Sequence, residues 1–111
     1  MTLIYILCAP QAYEAALELG RYESESLPTE GFIHASPANQ LTRVANKYYR
    51  HYPSLQLLTV EADKITAPVK WEAISNGDLY PHIYGPLNMD AVSNVQTVER
   101  SPDGTYQIAS P

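Results

Sequence analysis

Two short segments of this chain carry histidine beside glycine, proline and hydroxyl side chains. The first is Gly31–Pro37 (GFIHASP) and the second is Tyr80–Leu87 (YPHIYGPL), and together they hold two of the three histidines. Glycine and proline mark the ends of regular structure, where side chains that bind or react are commonly displayed. The two segments therefore predict one small polar site.

His34 is predicted to lie at the end of a short strand, two residues before a helix that begins at Ser36-Pro37. Free backbone amides and the helix dipole at such a start favour phosphate or carboxylate, and an imidazole can donate to a hydroxyl or a carbonyl oxygen. Ser36 either caps the helix only, or caps it and also contacts a ligand. For His34, a structural histidine bonded to backbone is the alternative to a ligand-binding one.

The second segment places Tyr80, His82 and Tyr84 at alternate positions. If the chain is extended here, the three side chains emerge on one side. Gly85 indicates either a turn that needs positive φ or a close approach of the backbone to a bound molecule. These residues are candidates for a ligand site, and the alternative is a rigid, aromatic-rich loop that covers one end of the core.

Glu72 is the best placed general acid or base, because a strand interior is an unusual position for glutamate. If its side chain faces solvent, it has no part in the site. If it faces His34 or His82, the pair can hold a ligand hydroxyl or exchange a proton, which makes Glu72 and His82 the catalytic candidates. Glu30 and Asp78 are weaker candidates. Two distant histidines and one glutamate lack the close spacing of zinc motifs, so no metal is predicted.

The elements that position these residues follow from periodicity and from turn residues. We predict strands at 3–7, 32–35, 55–61 and 69–74, helices at 10–20 and from 36 to about 51, and a hairpin of 92–100 with 105–109 around 102–104. Residues 21–30 are predicted to be a loop with at most a short turn. Strands that follow one another in the second half favour an α+β domain, with a largely antiparallel sheet and two main helices, over a doubly wound sheet.

Length and charge limit the classes of protein to consider. The 111 residues fit one domain, so residues 1–111 are predicted to fold as a single unit. A net charge of −5 argues against a nucleic-acid module. Residues 31–60 nevertheless contain no Asp or Glu and carry Arg43, Lys47 and Arg50. This cationic group is either the solvated face of a helix or a patch that attracts a small anionic ligand, with Arg43 as the residue to meet a phosphate.

The sequence also predicts the compartment. It has no run of about 18 apolar residues, the length that a membrane span needs, and its N-terminal segment lacks the basic region and the cleavage site of a secretory signal. We therefore expect a cytoplasmic protein with no membrane partner. The single cysteine, Cys8, lies in an apolar run and is predicted to be a small buried hydrophobe rather than a reactive thiol.

Three segments resemble the motifs of a bacterial family known only as domain of unknown function 952. They are Gly31–Ser36 (GFIHAS), Val69–Glu72 (VKWE) and His82–Leu87 (HIYGPL), and the resemblance covers nearly the whole chain. Such sequences often have a histidine after the first tyrosine and a tryptophan near the first helix. This chain has Ile6 and Tyr13 at those positions.

That family is similar in fold to ADP-ribosyltransferases and to the NAD-using RNA 2′-phosphotransferases, which implies a compact split sheet with a cleft for NAD or ADP-ribose. In that superfamily a histidine followed two positions later by serine or threonine grips a ribose, and His34 and Ser36 have this spacing. Tyr84 or Tyr80, with Glu72, are the candidates for the tyrosine and the later glutamate of the same set.

The resemblance therefore implies a small anionic or nucleotide-like partner, with NAD as a ligand or a substrate and no other cofactor. The reaction it implies is ADP-ribosyl transfer or a relative. A non-catalytic domain that uses the same pocket, or a tyrosine-rich surface, to bind a ligand or a protein is the alternative from another class.

Overall fold

The apolar runs of the sequence pair as antiparallel strands, and short helices pack beside them. A computed structural model describes residues 2–109. The strands in this part of the chain are β1 (Leu3–Cys8), β2 (Arg21–Tyr22), β3 (Ile33–His34), β4 (Ser54–Glu61), β5 (Val69–Ala73), β6 (Leu79–Ile83), β7 (Leu87–Asn88) and β8 (Val92–Glu99), and the α-helices are α1 (Pro10–Leu19), α2 (Ser26–Glu30) and α3 (Leu41–Tyr48). All strand pairs are antiparallel, which confirms the predicted α+β class.

The central sheet has the order β1-β4-β8 and supplies most of the core. Strand β4 carries buried apolar side chains on both of its faces. Leu58 and Val60 pack on one side in a cluster with Ile4. Leu55 and Leu57 pack on the other side in a second cluster. The sheet therefore separates two apolar layers, and helix α3 covers the second one through Leu41 and Ala45.

A second sheet, with the order β3-β6-β5, carries both histidine segments, and a third consists of β2 and β7. One pair of backbone hydrogen bonds joins the second sheet to the first. The amide of Tyr5 donates to the carbonyl of Ser36 at 2.9 Å, and the amide of Ser36 donates to the carbonyl of Tyr5 at 2.7 Å. The two larger antiparallel sheets thus meet next to the GFIHAS segment.

Helix α1 begins and ends where the sequence predicts. Pro10 occupies its first position, and Gly20 has φ 85°, a left-handed conformation that glycine adopts without strain. The amide of Gly20 donates to the carbonyl of Ala16 at 2.8 Å, which closes the last turn. No helix within residues 2–109 is long and apolar enough to cross a bilayer.

The predicted capping role of Ser36 is wrong. Its backbone is already paired with Tyr5, which holds Ser36 extended, so a short 3₁₀ turn at Ala38–Gln40 precedes α3. No side chain caps either the turn or the helix. The helix also ends at Tyr48 rather than near His51.

Two other sequence-based assignments need correction. Residues 21–30 form β2, which pairs with β7, and the five-residue helix α2, rather than a loop. The predicted hairpin with residues 105–109 does not form, because β8 pairs with β4 and the polar groups of the last segment bind side chains instead. Tyr106 is fully buried, and its hydroxyl donates to the carbonyl of Tyr52 at 2.6 Å. These hydrogen bonds of Tyr106 hold the last segment against the domain without strand pairing.

Cys8 is a core residue, as predicted, with 4% of its surface exposed. Burial raises the pKa of its thiol to about 12. A thiol with this pKa stays protonated at neutral pH, and the protonated form is a poor nucleophile.

Candidate functional site

The two histidine segments meet on neighbouring strands. His34 of β3 and His82 of β6 are direct partners in the antiparallel register, so their side chains lie on the same face of the sheet. Their ring centroids are 5.4 Å apart, with the rings nearly perpendicular. The structure thus brings together the two segments that the sequence predicts to form one site.

Glu72 reaches the same face from β5. Its Oε1 atom accepts a hydrogen bond from Nδ1 of His82 at 2.8 Å, and the hydroxyl of Tyr84 donates to the same oxygen. The side chain of His82 is 8% exposed and that of Glu72 is 39% exposed. Of the two orientations considered for Glu72, the structure therefore has the one toward the histidine.

These contacts fix the tautomer of His82. An ionised carboxylate only accepts hydrogen bonds, so Nδ1 must carry the proton that it donates to Glu72. In the neutral ring, Nε2 then bears the lone pair. This Nε2 atom is buried and has no hydrogen-bond partner within residues 2–109. A buried polar atom left unpaired is uncommon and destabilising, so this nitrogen is the most informative atom of the site.

The hydrogen bonds also perturb the two partners of His82. Donation by Tyr84, and then by His82, lowers the pKa of Glu72 below that of an ordinary glutamate. The same bond raises the pKa of Tyr84, because the phenol next to a carboxylate resists ionisation. At neutral pH, Glu72 is therefore an anion that holds the imidazole and Tyr84 is a neutral donor.

Phe32 fixes the ring of His82 from the other direction. The two rings are stacked, with centroids 4.1 Å apart and an angle of 19° between their planes. Phe32 also meets His34 edge-on at 4.9 Å. Sequence reasoning missed this residue, although it lies two positions before His34 and alternation along a strand places both side chains on one face.

A pocket of about 430 Å³ opens beside the two histidines. The residues that line it are Glu30, His34, Ala35, Ser36, Arg43, Val44, Lys47, Tyr48, Tyr49, Ile74, Tyr80 and His82. We call this the histidine pocket. Five of the residues selected from sequence are in this lining: His34, Ser36, Arg43, Tyr80 and His82.

His34 and Ser36 occupy the pocket wall differently. His34 is exposed, and its Nε2 lies 3.2 Å from Oε2 of Glu30, so Glu30 is the carboxylate that faces the pocket. Ser36 is 6% exposed and uses its backbone for pairing, not its hydroxyl. Sequence reasoning ranked Glu30 below Glu72, because the turn of α2 that brings it next to His34 was predicted to be loop.

The cationic side of the pocket comes from helix α3. Arg43 and Lys47 are one turn apart and therefore project from the same face. Arg43 pairs with Asp78 at 3.0 Å and donates to Gln40 at 3.3 Å. Its side chain is 47% exposed, and an ion pair this exposed is weak enough to be exchanged for a ligand. Lys47 has no ion pair within residues 2–109.

Three of the selected residues do not line the pocket. Glu72 accepts from Nδ1 of His82 and Tyr84 donates to Glu72, but neither residue is in the pocket lining. Gly85 does not have positive φ, and a methyl group there would come 2.9 Å from Cβ of Ala67, so a close approach within the protein explains this glycine.

Tyr80 lines the pocket, where its hydroxyl donates to Oε1 of Gln40 at 3.1 Å. Within residues 2–109, no three His, Cys, Asp or Glu side chains are grouped closely enough to hold a metal ion.

Antiparallel sheets, with a pair of histidines next to the junction of the two larger ones and a pocket beside these histidines, define a small α+β protein. The chain matches a family model described as "Protein of unknown function (DUF952)" over residues 7–95, and it belongs to that family. No curated protein sequence matches it.

Solved structures of one relative have the same fold. The crystal structure of protein CC0527 from Caulobacter crescentus is 36% identical in sequence, with a TM-score of 0.88 over 96% of this chain and 94% of that chain. The solution NMR structure of the same protein is 37% identical, with a TM-score of 0.82 over 96% of this chain and 93% of that one. These names state no activity, so the function must be argued from the site.

Proposed function

We propose that the histidine pocket binds a small anionic, nucleotide-like molecule of the NAD or ADP-ribose type. The observation that carries the proposal is Nε2 of His82, in a residue that lines the pocket. Glu72 and Phe32 hold the ring, and this buried nitrogen has no hydrogen-bond partner within residues 2–109. A ligand hydroxyl that donates to this nitrogen removes the cost of the unpaired atom. Sugar hydroxyls are suitable donors.

The rest of the pocket supports the same class of ligand. The hydroxyl of Ser36 and the ring of His34 add donors and acceptors for a ribose, next to His82. Arg43 and Lys47 on the opposite side supply positive charge for phosphates. A volume of about 430 Å³ is within the usual range for small-molecule sites.

For the reaction, we propose ADP-ribosyl transfer. The bond between C1′ of the ribose and the nicotinamide nitrogen of NAD would break, and nicotinamide would leave with the electron pair. An acceptor oxygen or nitrogen would bond to C1′ and lose its proton to water, while Nε2 of His82 would hold a ribose hydroxyl. The carboxylate of Glu30 would stabilise the positive charge that develops on the ribose. The His34-x-Ser36 spacing in the pocket wall and the resemblance of the family to ADP-ribosyltransferases support this assignment.

A non-catalytic ligand-binding domain is the second candidate, and one observation favours it. Glu72, the glutamate expected to act on the ribose, contacts His82 but lies outside the pocket lining. In this alternative, Glu72 only orients the imidazole and the pocket retains its ligand unchanged. Release of free nicotinamide from NAD separates the two functions.

The test is a thermal-shift titration with NAD, ADP-ribose and inorganic phosphate. At about 100 times its dissociation constant, a ligand stabilises the folded state by roughly 2.7 kcal/mol, which moves Tm by several degrees in a domain of this size. We expect a shift with NAD or ADP-ribose in the wild type and its loss in His34→Ala and His82→Gln. His34 is exposed, so His34→Ala is not expected to disturb folding.

His51→Gln is the matched control, because His51 is exposed and outside the pocket lining. It should keep the full shift. If neither nucleotide shifts Tm of the wild type, or if both pocket variants respond like His51→Gln, the nucleotide proposal is wrong.

A further inference from the structure

A second cavity adjoins the histidine pocket. It has a volume of about 820 Å³, is more open, and shares Glu30, His34 and Tyr49 with the first. The remaining residues that line it are Leu7, Cys8, Ala9, Gln11, Ala12, Tyr22, Glu23, Ser24, Glu25, Ser26, Thr29 and Tyr52. We call it the acidic lobe, because three glutamates line it and no lysine or arginine does.

The three carboxylates of the acidic lobe differ in how far they are already neutralised. Glu23 is paired with Arg21, and Glu30 contacts His34. Glu25 is exposed and has no ion pair within residues 2–109. A cation that entered the lobe would therefore meet the carboxylate of Glu25, which has no ion pair within residues 2–109. Glu23 and Glu30 belong to the same lining.

The floor of the lobe contributes an independent observation. Tyr22 is 4% exposed, its hydroxyl makes none of the side-chain hydrogen bonds within residues 2–109, and the residue lines the cavity. Burial, followed by the nearness of Cys8, Tyr49 and Glu25, raises the pKa of this phenol. The hydroxyl therefore stays neutral, and its oxygen has lone pairs that can accept a hydrogen bond from an ammonium or guanidinium group.

Aromatic rings complete the lining. Tyr49 and Tyr52 have centroids 6.2 Å apart, and both belong to this wall with Tyr22. The faces of aromatic rings attract cations, most strongly where water is excluded. Carboxylates, an unpaired phenol oxygen and tyrosine rings together form the chemistry that recognises an organic cation.

We propose that the acidic lobe is a separate binding site for an organic cation that carries a guanidinium or primary ammonium group, next to the anion-binding histidine pocket. Glu25 supplies the negative charge, the Tyr22 hydroxyl accepts a hydrogen bond, and the tyrosine rings contact the apolar part of the ligand. The site goes beyond the proposed nucleotide function and does not depend on it.

The test is an NMR titration of the isotope-labelled protein with butylguanidinium, without any nucleotide. We expect resonances of residues in the acidic lobe to shift, and n-butylurea, a neutral molecule of the same shape, to leave them unchanged. Loss of a hydrogen bond to a charged group should weaken binding about tenfold in Tyr22→Phe. Loss of an exposed ion pair should weaken it about threefold in Glu25→Gln.

Glu14→Gln removes an exposed glutamate of α1 that does not line the lobe, and it should bind like the wild type. Equal shifts with butylguanidinium and n-butylurea, unchanged affinity in Tyr22→Phe and Glu25→Gln, or no binding of butylguanidinium would each overturn the proposal. Agmatine and a capped arginine tripeptide distinguish the source of the cation. Tighter binding of agmatine indicates a free amine, and tighter binding of the tripeptide indicates a protein side chain.

Discussion

At the scale of single residues, the site depends on one carboxylate oxygen that serves two donors. Oε1 of Glu72 accepts from Nδ1 of His82 and from the hydroxyl of Tyr84. This shared oxygen therefore sets the tautomer of His82 and raises the pKa of the Tyr84 phenol. Nε2 of His82 is the acceptor nitrogen of the neutral ring because Nδ1 donates to Glu72, a residue outside the pocket lining.

The charge of Glu72 gives a pH dependence with a definite sign. Its pKa is lower in the folded protein than in the unfolded chain, so the stability it contributes is present above the unfolded value of about 4.3 and is lost as the pH falls through the folded value. The pKa of Tyr84 is raised, so its contribution is present below the unfolded value of about 10 and is lost as the pH rises through the folded one.

We expect Glu72→Gln, which keeps the shape of the side chain but not its charge, to reduce both dependences. Urea denaturation at several pH values measures the free energy of unfolding of the two proteins. The free energy of unfolding of the wild type should exceed that of the variant most at pH values between the unfolded pKa values of Glu72 and Tyr84. The difference should shrink toward acid and toward alkali. Glu99→Gln, at the end of β8, is the control. A difference that does not change with pH would contradict the assigned contacts.

At the scale of elements, one glycine shows how closely the β6–β7 connection packs on the segment before β5. A methyl group on Gly85 would come 2.9 Å from Cβ of Ala67, and real Cβ atoms do not approach this closely. Forcing an extra methyl into a packed contact typically costs about 1–3 kcal/mol.

Gly85→Ala should therefore lower the free energy of unfolding by about 1–3 kcal/mol in urea denaturation. The double variant Gly85→Ala with Ala67→Gly removes the opposing methyl group and should recover most of that loss. If the double variant is no more stable than Gly85→Ala alone, the cost does not come from this contact.

The elements also show what the sequence could predict. Strands β1 and β4 and helix α1 were predicted because their signals are local. These signals are a continuous apolar run in β1, a leucine-rich segment in β4, and a proline at the first position and a glycine at the end of α1. Strand β2 has two residues and exists only because β7 pairs with it, so no local pattern marks it. Ser36 followed by proline is a good helix start, but pairing with Tyr5 overrides that preference.

The candidate site was predictable to a similar degree. Alternation along the strand predicted a common face for Tyr80 and His82, and both line the histidine pocket, because alternation is a local property of a strand. The pairing of His34 with His82 depends on the register between strands far apart in sequence. The place of Glu30 in the pocket depends on α2, which was not predicted, so neither contact could be derived from local sequence.

At the scale of the whole molecule, the net charge of −5 conceals a local separation of charge. Arg43 and Lys47 line the histidine pocket, and the glutamates of α2 and its approach line the acidic lobe. The two regions meet at Glu30 and His34. The net charge excludes a broad basic face but leaves room for a small anion site.

Residues 105–109 pack on the second apolar layer beside α3. Tyr106 is fully buried there, and its amide donates to Oδ1 of Asn46 at 2.8 Å while Asn46 donates back to its carbonyl at 2.9 Å. Its hydroxyl donates to the carbonyl of Tyr52. The contacts of Tyr106 thus hold residues 105–109 in place, although this segment is neither a strand nor a helix.

Tyr106→Ala should lower the free energy of unfolding by about 3–5 kcal/mol, as for other large aromatic residues removed from a core. Tyr48→Ala, at a position that is 57% exposed, should change it by no more than about 0.5 kcal/mol. Urea denaturation measures both. Similar values for the two variants would show that residues 105–109 do not contribute to the core.

The proposed role of His82 Nε2 as the acceptor of a ligand hydroxyl can be followed at the ring nitrogens by NMR while ADP-ribose is added. We predict that, before addition, His82 is a single tautomer with the proton on Nδ1, and that its Nε2 resonance then moves saturably while those of His51 stay in place. A His82 ring protonated at Nε2, or an Nε2 resonance that ADP-ribose does not move, would rule out this role.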